Sequence, residues 1–379
     1  MSEERVYWLA WSQISGIGPI ALQRLQEQFG TLKAAWEAPA AELRRVEGFG
    51  KQTVEKVAGE RSQLEPAQLF EKHLEKNPKF WTPADADYPR LLLEIPSPPP
   101  IVYYRGITNP DEIQGKIPTI AIVGTRNPTE YGRRWTRKIS TTLTRSGFAI
   151  VSGMAAGIDT EAHRSCLDAG GRTLAVLGTG VDIAYPKENR PLCERVMESG
   201  LLISEFPSGT KPNARNFPRR NRIIAGLSRA VFVMEAPQRS GALITAHIAN
   251  DFCRDVYVLP GRLDDEKSHG CLKLIDGGAG VIPVDLDQLL EQLGAIPQLD
   301  VPVQLPLFEP EPPPKSEPER PNLAPELLKI LDAIAPEPTP FDLIVEQSGM
   351  DAGTVSGLLL QLELLGFVTQ LPGMRYERK

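Results

Sequence analysis

The chain of 379 residues carries 42 Lys plus Arg against 48 Asp plus Glu, a net charge of −6. Taken as an average, this balance excludes a protein that is basic throughout and coats nucleic acid by charge alone. With 41% hydrophobic and 24% charged residues, wholesale disorder is excluded as well, and the length predicts roughly two to three domains.

The opening Met1-Ser2-Glu3-Glu4-Arg5 lacks the basic-then-apolar pattern of a signal peptide, and no apolar run approaches the ~18 residues of a membrane-spanning helix. A cytoplasmic protein without membrane association is expected. Cys166, Cys193, Cys253 and Cys271 form no Cys-x-x-Cys pair, so reduced, buried thiols are expected rather than a zinc ribbon or a redox couple.

Residues 1–80 read as helical, beginning with the apolar stripe Trp8, Leu9, Trp11 and Ile14. Gly16-Ile17-Gly18-Pro19 and Gly48-Phe49-Gly50-Lys51 each precede a helix-period pattern (Ile20, Leu22, Leu25, Phe29; then Val54, Val57). A Gly-x-Gly turn at a helix start exposes backbone amides, as in helix-hairpin-helix modules that grip phosphates. The region is not notably basic, and a plain helical bundle with glycine turns is the simpler reading. Pro96, Pro98, Pro99 and Pro100 then precede the central part.

Residues 85–293 alternate short apolar runs with amphipathic stretches. Strands are predicted at Thr119–Val123, Ala149–Val151, Thr173–Leu177, Leu201–Ile203, Ala230–Met234 and Asp255–Leu259. Helices are predicted at Tyr131–Ser146, Asp159–Ala169, Glu188–Glu198, Asn221–Leu227, Leu243–Phe252 and Gly270–Asp276. This alternation is that of an α/β protein with a doubly wound parallel sheet, which binds ligands at the carboxyl ends of its strands.

Nine prolines from Pro297 to Pro321 make residues 295–322 an extended linker, because proline fixes φ and removes a backbone donor. Residues 323–379 hold three helix-like stretches, Ala324–Ile334, Phe341–Gln347 and Asp351–Leu365. A hairpin pattern with a Pro372-Gly373 turn follows, giving a winged-helix order. The last helix has no Lys or Arg, so a protein-interaction role, or one the sequence does not identify, is favoured over DNA readout.

Three loops follow predicted strands. Gly124-Thr125-Arg126-Asn127-Pro128 combines small residues with one guanidinium, but it is neither Gly-x-Gly-x-x-Gly nor a Walker loop. Ser152-Gly153-Met154-Ala155-Ala156-Gly157 leads to Asp159, read as a helix N-cap. Asp159 and His163 are four apart; capping with a packed histidine is favoured over a metal pair. Ser240-Gly241-Ala242-Leu243-Ile244-Thr245 offers hydroxyls and amides at a helix start.

Charge gives the strongest signal. From Phe206 to Met234 there are 29 residues without an acid but with Lys211, Arg215, Arg219, Arg220, Arg222 and Arg229. Arg126, Arg133, Arg134, Arg137, Lys138 and Arg145 form a second basic run. Phe217 lies inside the first cluster, and cations with an interleaved aromatic match single-strand binding by charge neutralisation and base stacking. No Gly-x-Ser-x-Gly elbow and no metal spacing among His73, His163, His247 and His269 is present, so no enzyme, cofactor or metal is expected.

The central segments Ile120-Ala121-Ile122-Val123-Gly124-Thr125-Arg126, Ser152-Gly153-Met154-Ala155-Ala156-Gly157-Ile158-Asp159, Ala175-Val176-Leu177-Gly178-Thr179-Gly180-Val181-Asp182, Tyr185-Pro186, Ser204-Glu205, Phe217-Pro218-Arg219-Arg220-Asn221-Arg222-Ile223-Ile224, Ser240–Ala246 and Leu259-Pro260-Gly261 resemble the DNA-processing protein A (DprA/Smf) family. The resemblance implies a Rossmann-like central domain, a SAM-like helical N-terminal domain and a C-terminal winged helix. It implies a cytoplasmic homodimer that binds single-stranded DNA, protects incoming strands during natural transformation, loads the RecA recombinase and catalyses nothing. It implies a DNA pocket from Gly124, Thr125, Arg126, Arg219, Arg220, Asn221 and Arg222, with Lys211 and Phe217 as basic and aromatic contacts. Ser240 and Thr245 join them as hydroxyl contacts from the third loop.

Two enzyme readings compete. A phosphoribohydrolase of the lysine-decarboxylase-like type carries a Pro-Gly-Gly-x-Gly-Thr-x-x-Glu loop, whereas Ser240–Ile248 lacks the double glycine and the catalytic Glu. A dinucleotide oxidoreductase would need the glycine fingerprint and a ribose-binding acid, both missing.

Overall fold

The computed structural model describes residues 3–295, 323–335, 338–371 and 373–378. The predicted linker lies outside the described residues beyond Ala295. The chain divides into two compact units, Met1–Pro302 and Val303–Lys379.

The first unit is built on an eight-stranded sheet. Its strands are β1 (Phe80–Trp81), β2 (Val102–Gly106), β3 (Thr119–Val123), β4 (Ala149–Ser152), β5 (Thr173–Val176), β6 (Leu201–Ser204), β7 (Ala230–Val233) and β8 (Asp255–Val258). They stand in the order β1-β2-β6-β5-β4-β3-β7-β8. Strands β3 to β8 are the six predicted ones, each starting where expected and ending within one residue of its predicted end. They pair in parallel. A wholly parallel sheet is corrected to a mixed one: β2 runs antiparallel to both β6 and β1. Two-residue and five-residue strands on either side of a proline-rich stretch have too few alternating positions to show a period.

Apart from Asp255 at the start of β8, the parallel strands are buried along their length because both faces are covered. Ile120 and Ile122 pack with Ile139, Leu143, Ile158 and Ala162 on one side. Ala121 and Val123 pack with Ile223, Ile224, Ala242 and Ala246 on the other. This one-residue alternation places the Glu130–Arg145 and Ile158–Asp168 helices below the sheet and the Asn216–Gly226 and Gly241–Asp251 helices above it. The order reverses at β3: the chain proceeds to β4, β5 and β6 on one side, then crosses to β7 and β8 on the other. Such a switch point opens a crevice at the carboxyl ends of the strands.

Six helices from Glu4–Ser12 to Pro66–Lys76 precede β1. Trp8, Trp11, Leu22, Leu25, Trp36, Phe49 and Val54 form their core, and both Gly-x-Gly stretches lead into helix starts as expected. A second cluster of Leu9, Phe70, Phe80, Ile101, Tyr103 and Val181 joins these helices to the sheet edge.

The second unit contains helices Pro325–Asp332, Phe341–Ser348 and Ala352–Leu364, with a small sheet of β9 (Thr339–Pro340), β10 (Val368–Leu371) and β11 (Arg375–Arg378). The strand order is β10-β11-β9, all antiparallel, giving a winged helix. Asp351 caps the last helix by accepting from Thr354 N at 3.1 Å. That helix exposes Leu360 and Leu364.

No helix among the described residues is long and apolar enough to cross a membrane. Cys166, Cys193 and Cys271 are free and buried as expected, and burial raises their thiol pKa values to about 11, 11 and 12. Cys253 is exposed, against expectation, because it occupies the turn between the Gly241–Asp251 helix and β8.

Candidate nucleic-acid interface

Loops after β3, β4 and β7, with the Asn216–Gly226 helix, enclose a cavity of about 590 Å³ at the switch point. Gly124, Thr125 and Arg126 form one wall. The loop is held from below, with Thr125 N donating to Glu235 O at 2.7 Å and Ile158 N to Thr125 O at 3.1 Å. Glu235, buried, accepts from Thr129 Oγ1 at 2.7 Å and so fixes where the loop turns into its helix. Gly157 has φ +84, and a Cβ there would lie 2.4 Å from Thr125 O. Only glycine lets the second loop pass this close beneath the first.

Ser240 and Thr245 form the facing wall. Ser240 Oγ accepts from Ala242 N and caps the Gly241–Asp251 helix. The start of that helix and the start of Ile158–Asp168 both meet the cavity, bringing two positive dipole ends to it.

Arg220 and Asn221 make the floor, and Phe217 stands above them. Arg220 is 4% exposed and donates from Nη1 to Gly153 O at 2.6 Å and to Val176 O. Asn221 accepts from Arg220 Nε at 3.2 Å and donates to Gly241 O at 3.1 Å. Asp159 accepts from the Gly153 and Ala155 amides at 3.1 and 3.2 Å. The expected N-cap role is thereby corrected: Gly157 occupies the N-cap, and Asp159, one residue into the helix, ties down the loop instead. Burial pulls the Arg220 guanidinium down to about 10, with Asp159 opposing the shift and Arg126 adding to it. Burial likewise raises the Asp159 carboxyl, opposed by Arg220 and the two amides.

The six cations between Phe206 and Met234 do not gather at the cavity as their clustering in the sequence predicts. Lys211, Arg215 and Arg219 are exposed but do not line the cavity. Arg222 faces away, held by Glu205 at 2.6 Å and Ser97 O at 2.6 Å. Arg229 is buried and donates to Gly115 O. The second basic run is partly neutralised: Arg133 and Arg137 meet Glu161 at 3.8 and 3.3 Å, and Arg137 meets Glu130 at 2.5 Å. Of the predicted Arg219-Arg220-Arg222 track, Arg220 alone reaches the cavity, and it is engaged from beneath.

Among the lining residues not expected from the sequence, an arginine and a tyrosine can contact a ligand directly. Arg239 is exposed at the mouth. Tyr185 is 38% exposed, with its ring 5.4 Å from that of Phe217 at 31°. The Phe217 ring also has the Arg126 and Arg220 guanidinium groups 5.7 and 5.9 Å from its centroid and is half-buried, so Tyr185 is the more open of the two rings. A tyrosine in a loop next to proline has no period that marks it. The lining holds three guanidinium groups, Arg126, Arg220 and Arg239, against one carboxylate, Asp159.

His163 is fully buried beneath the floor; its Nδ1 donates to Thr173 Oγ1 at 2.7 Å, since that hydroxyl donates onward to Ile150 O. Among the described residues no group of three or more His, Cys, Asp or Glu is placed to hold a metal. Burial holds the His163 pKa at about 3 against 6.5 for the free group. Below pH 6.5 the unfolded chain therefore binds a proton that the folded chain refuses, and stability is lost as pH falls. The expected loss from this residue is about 2 kcal/mol at pH 5. In urea unfolding, His163→Leu should lose less stability than wild type between pH 7 and 5; an equal loss in both would remove this account.

A model of the family described as DNA recombination-mediator protein A matches residues 79–294. A model of the DprA winged helix domain matches residues 311–374. The chain is 53% identical to Protein Smf of Synechocystis sp. over 406 residues, covering 100% of both. It is 37% identical to Protein Smf of Escherichia coli, covering 77% of this chain and 75% of that one. The fold matches the X-ray structure of DNA processing protein A from Streptococcus pneumoniae with a TM-score of 0.66 and 33% identity, covering 77% of this chain and 98% of that chain. It also matches DNA processing protein A from Helicobacter pylori, whose structure is described as giving insights into a unique single-stranded DNA binding mode. There the TM-score is 0.51 at 27% identity, over 57% of this chain and 95% of that chain.

Proposed function

The chain belongs to the DNA recombination-mediator protein A family, and from that premise we propose that its switch-point cavity binds single-stranded DNA so that the protein protects the strand and hands it to the RecA recombinase. The observation that carries the reading is the convergence of Arg126, Arg239 and the open Tyr185 ring over two helix starts. Guanidinium groups and amides hold phosphates, and an exposed ring stacks a base of any sequence. A flexible single strand can turn a base into a cavity of this size, whereas a duplex keeps its bases paired. Relatives described as DNA processing proteins and the strand-binding relative from H. pylori support this reading.

We read the protein as a binder rather than a catalyst because the one carboxylate lining the cavity, Asp159, is already engaged by two backbone amides. A cytoplasmic homodimer acting in natural transformation or general recombination completes the proposal.

The test is a titration of labelled oligo-dT with the full chain at several salt concentrations. Arg126 and Arg239 at the cavity, with Arg219 and Lys211 exposed on the segments that border it, supply about four phosphate contacts to a short strand, which gives a log–log salt slope near −3. Duplex of equal length should bind more weakly. Equal binding of duplex, or none of oligo-dT, would refute the cavity assignment. Strand exchange by RecA in the presence of single-strand-binding protein tests the mediator role separately; no stimulation would remove that role and leave a DNA binder.

A further inference from the structure

A second groove, of about 320 Å³, opens where the N-terminal helices meet the sheet edge. Asn77, Lys79, Arg105, Val181 and Ser208 are among its lining residues. Lys79 and Arg105 are exposed, and neither meets a carboxylate among the described residues. The groove wall is fastened: Ser208 N donates to Asn77 Oδ1 at 2.8 Å, and Gly180 N to Thr210 O at 3.0 Å. Asp182, the nearby acid, accepts from Gly209 N at 2.9 and 3.0 Å.

One loop borders both the groove and the cavity. Ser208 lines the groove, while Pro212 and Ala214 line the cavity. Four residues of extended chain span at most about 14 Å, so the two walls are no farther apart than that along the loop. Lys211 lies exposed between them. Cations therefore run from Arg126 and Arg239 at the cavity, past Lys211, to Lys79 and Arg105 at the groove.

We propose that this groove is a second phosphate-holding subsite, which takes the nucleotides flanking those in the cavity, so that one single strand crosses from the α/β domain onto its junction with the N-terminal helices. The proposal rests on the cavity reading above and extends it to a longer occluded strand. Lys79 and Arg105 hold phosphates by charge, which is indifferent to base sequence.

Oligo-dT of increasing length, from about 4 to about 20 nucleotides, brackets the usual site sizes. For the wild-type chain, affinity should keep rising until the strand spans both subsites. In Lys79→Ala/Arg105→Ala, short oligomers should bind as to wild type. Long ones should bind roughly tenfold more weakly, with the salt slope reduced by about 1.4 for two lost contacts. A double variant that binds long oligomers with wild-type affinity and slope would overturn the groove alone. Failure of the wild-type chain to bind any oligomer would overturn the cavity reading first. Should the alanine pair lower the melting temperature, Lys79→Gln/Arg105→Gln keeps the aliphatic stems and is read by the same outcomes.

Discussion

Arg220→Met is expected to lower the stability of the α/β unit by about 3–5 kcal/mol, seen as a lower urea midpoint with an unchanged slope. The side chain is 4% exposed, and its guanidinium binds the carbonyls that end β5 and open the second loop. Methionine fills much of the volume but leaves those carbonyls without a donor. It also leaves Asp159 buried without the positive charge that favours its ionised form. Breaking one side of a buried charge arrangement is costly because the other side stays desolvated. Adding Asp159→Asn to Arg220→Met should recover part of the loss, since the neutral amide oxygen still accepts from Gly153 and Ala155. Arg220→Lys should recover little, because one ammonium cannot reproduce the planar fork. A wild-type midpoint for Arg220→Met would show that the floor does not depend on this charge.

Arg126→Ala is expected to act on binding and leave folding alone. Its side chain is exposed and lies 5.7 Å over the Phe217 ring. Loss of this contact should weaken oligo-dT binding by about 1–3 kcal/mol, roughly 5- to 150-fold, and lower the salt slope by about 0.7. Thermal unfolding should not move. The contrast with Arg222 is informative: its partners are Glu205 and Ser97, so truncation there should shift the melting temperature and not the salt slope. Unchanged oligo-dT affinity of Arg126→Ala at moderate salt would mean that the strand does not use this cavity.

The parallel core was legible because each of its strands is a short apolar run followed by an amphipathic helix. The two antiparallel edge strands were not, because Phe80–Trp81 is too short to show alternation and Pro96 to Pro100 mask the approach to Val102. That the three loops come together was legible, since strand ends at a switch point converge whatever their sequence. Charge was read less well, because composition does not distinguish an arginine in water from one that crosses the core to a carbonyl. The acid-free window from Phe206 to Met234 is bounded by Glu205 and Glu235. Those two flanking residues are the ones the fold uses, Glu205 for Arg222 and Glu235 for the loop at Thr129. A linear count of charge stopped one residue short of Glu205, the ion-pair partner of Arg222.

The cavity floor has a consequence for the kinetics of strand capture. The bonds linking Arg220 to Gly153 and Val176, and Asn221 to Gly241, lie wholly within the protein. No part of that floor must be ordered as a strand arrives. Association should therefore be governed by diffusion and by the exposed guanidinium groups at the rim, with a rate constant that falls steeply as ionic strength rises. Residence time should answer to different atoms: the ring of Tyr185 and the fork of Arg126, which must both let go before the strand can leave.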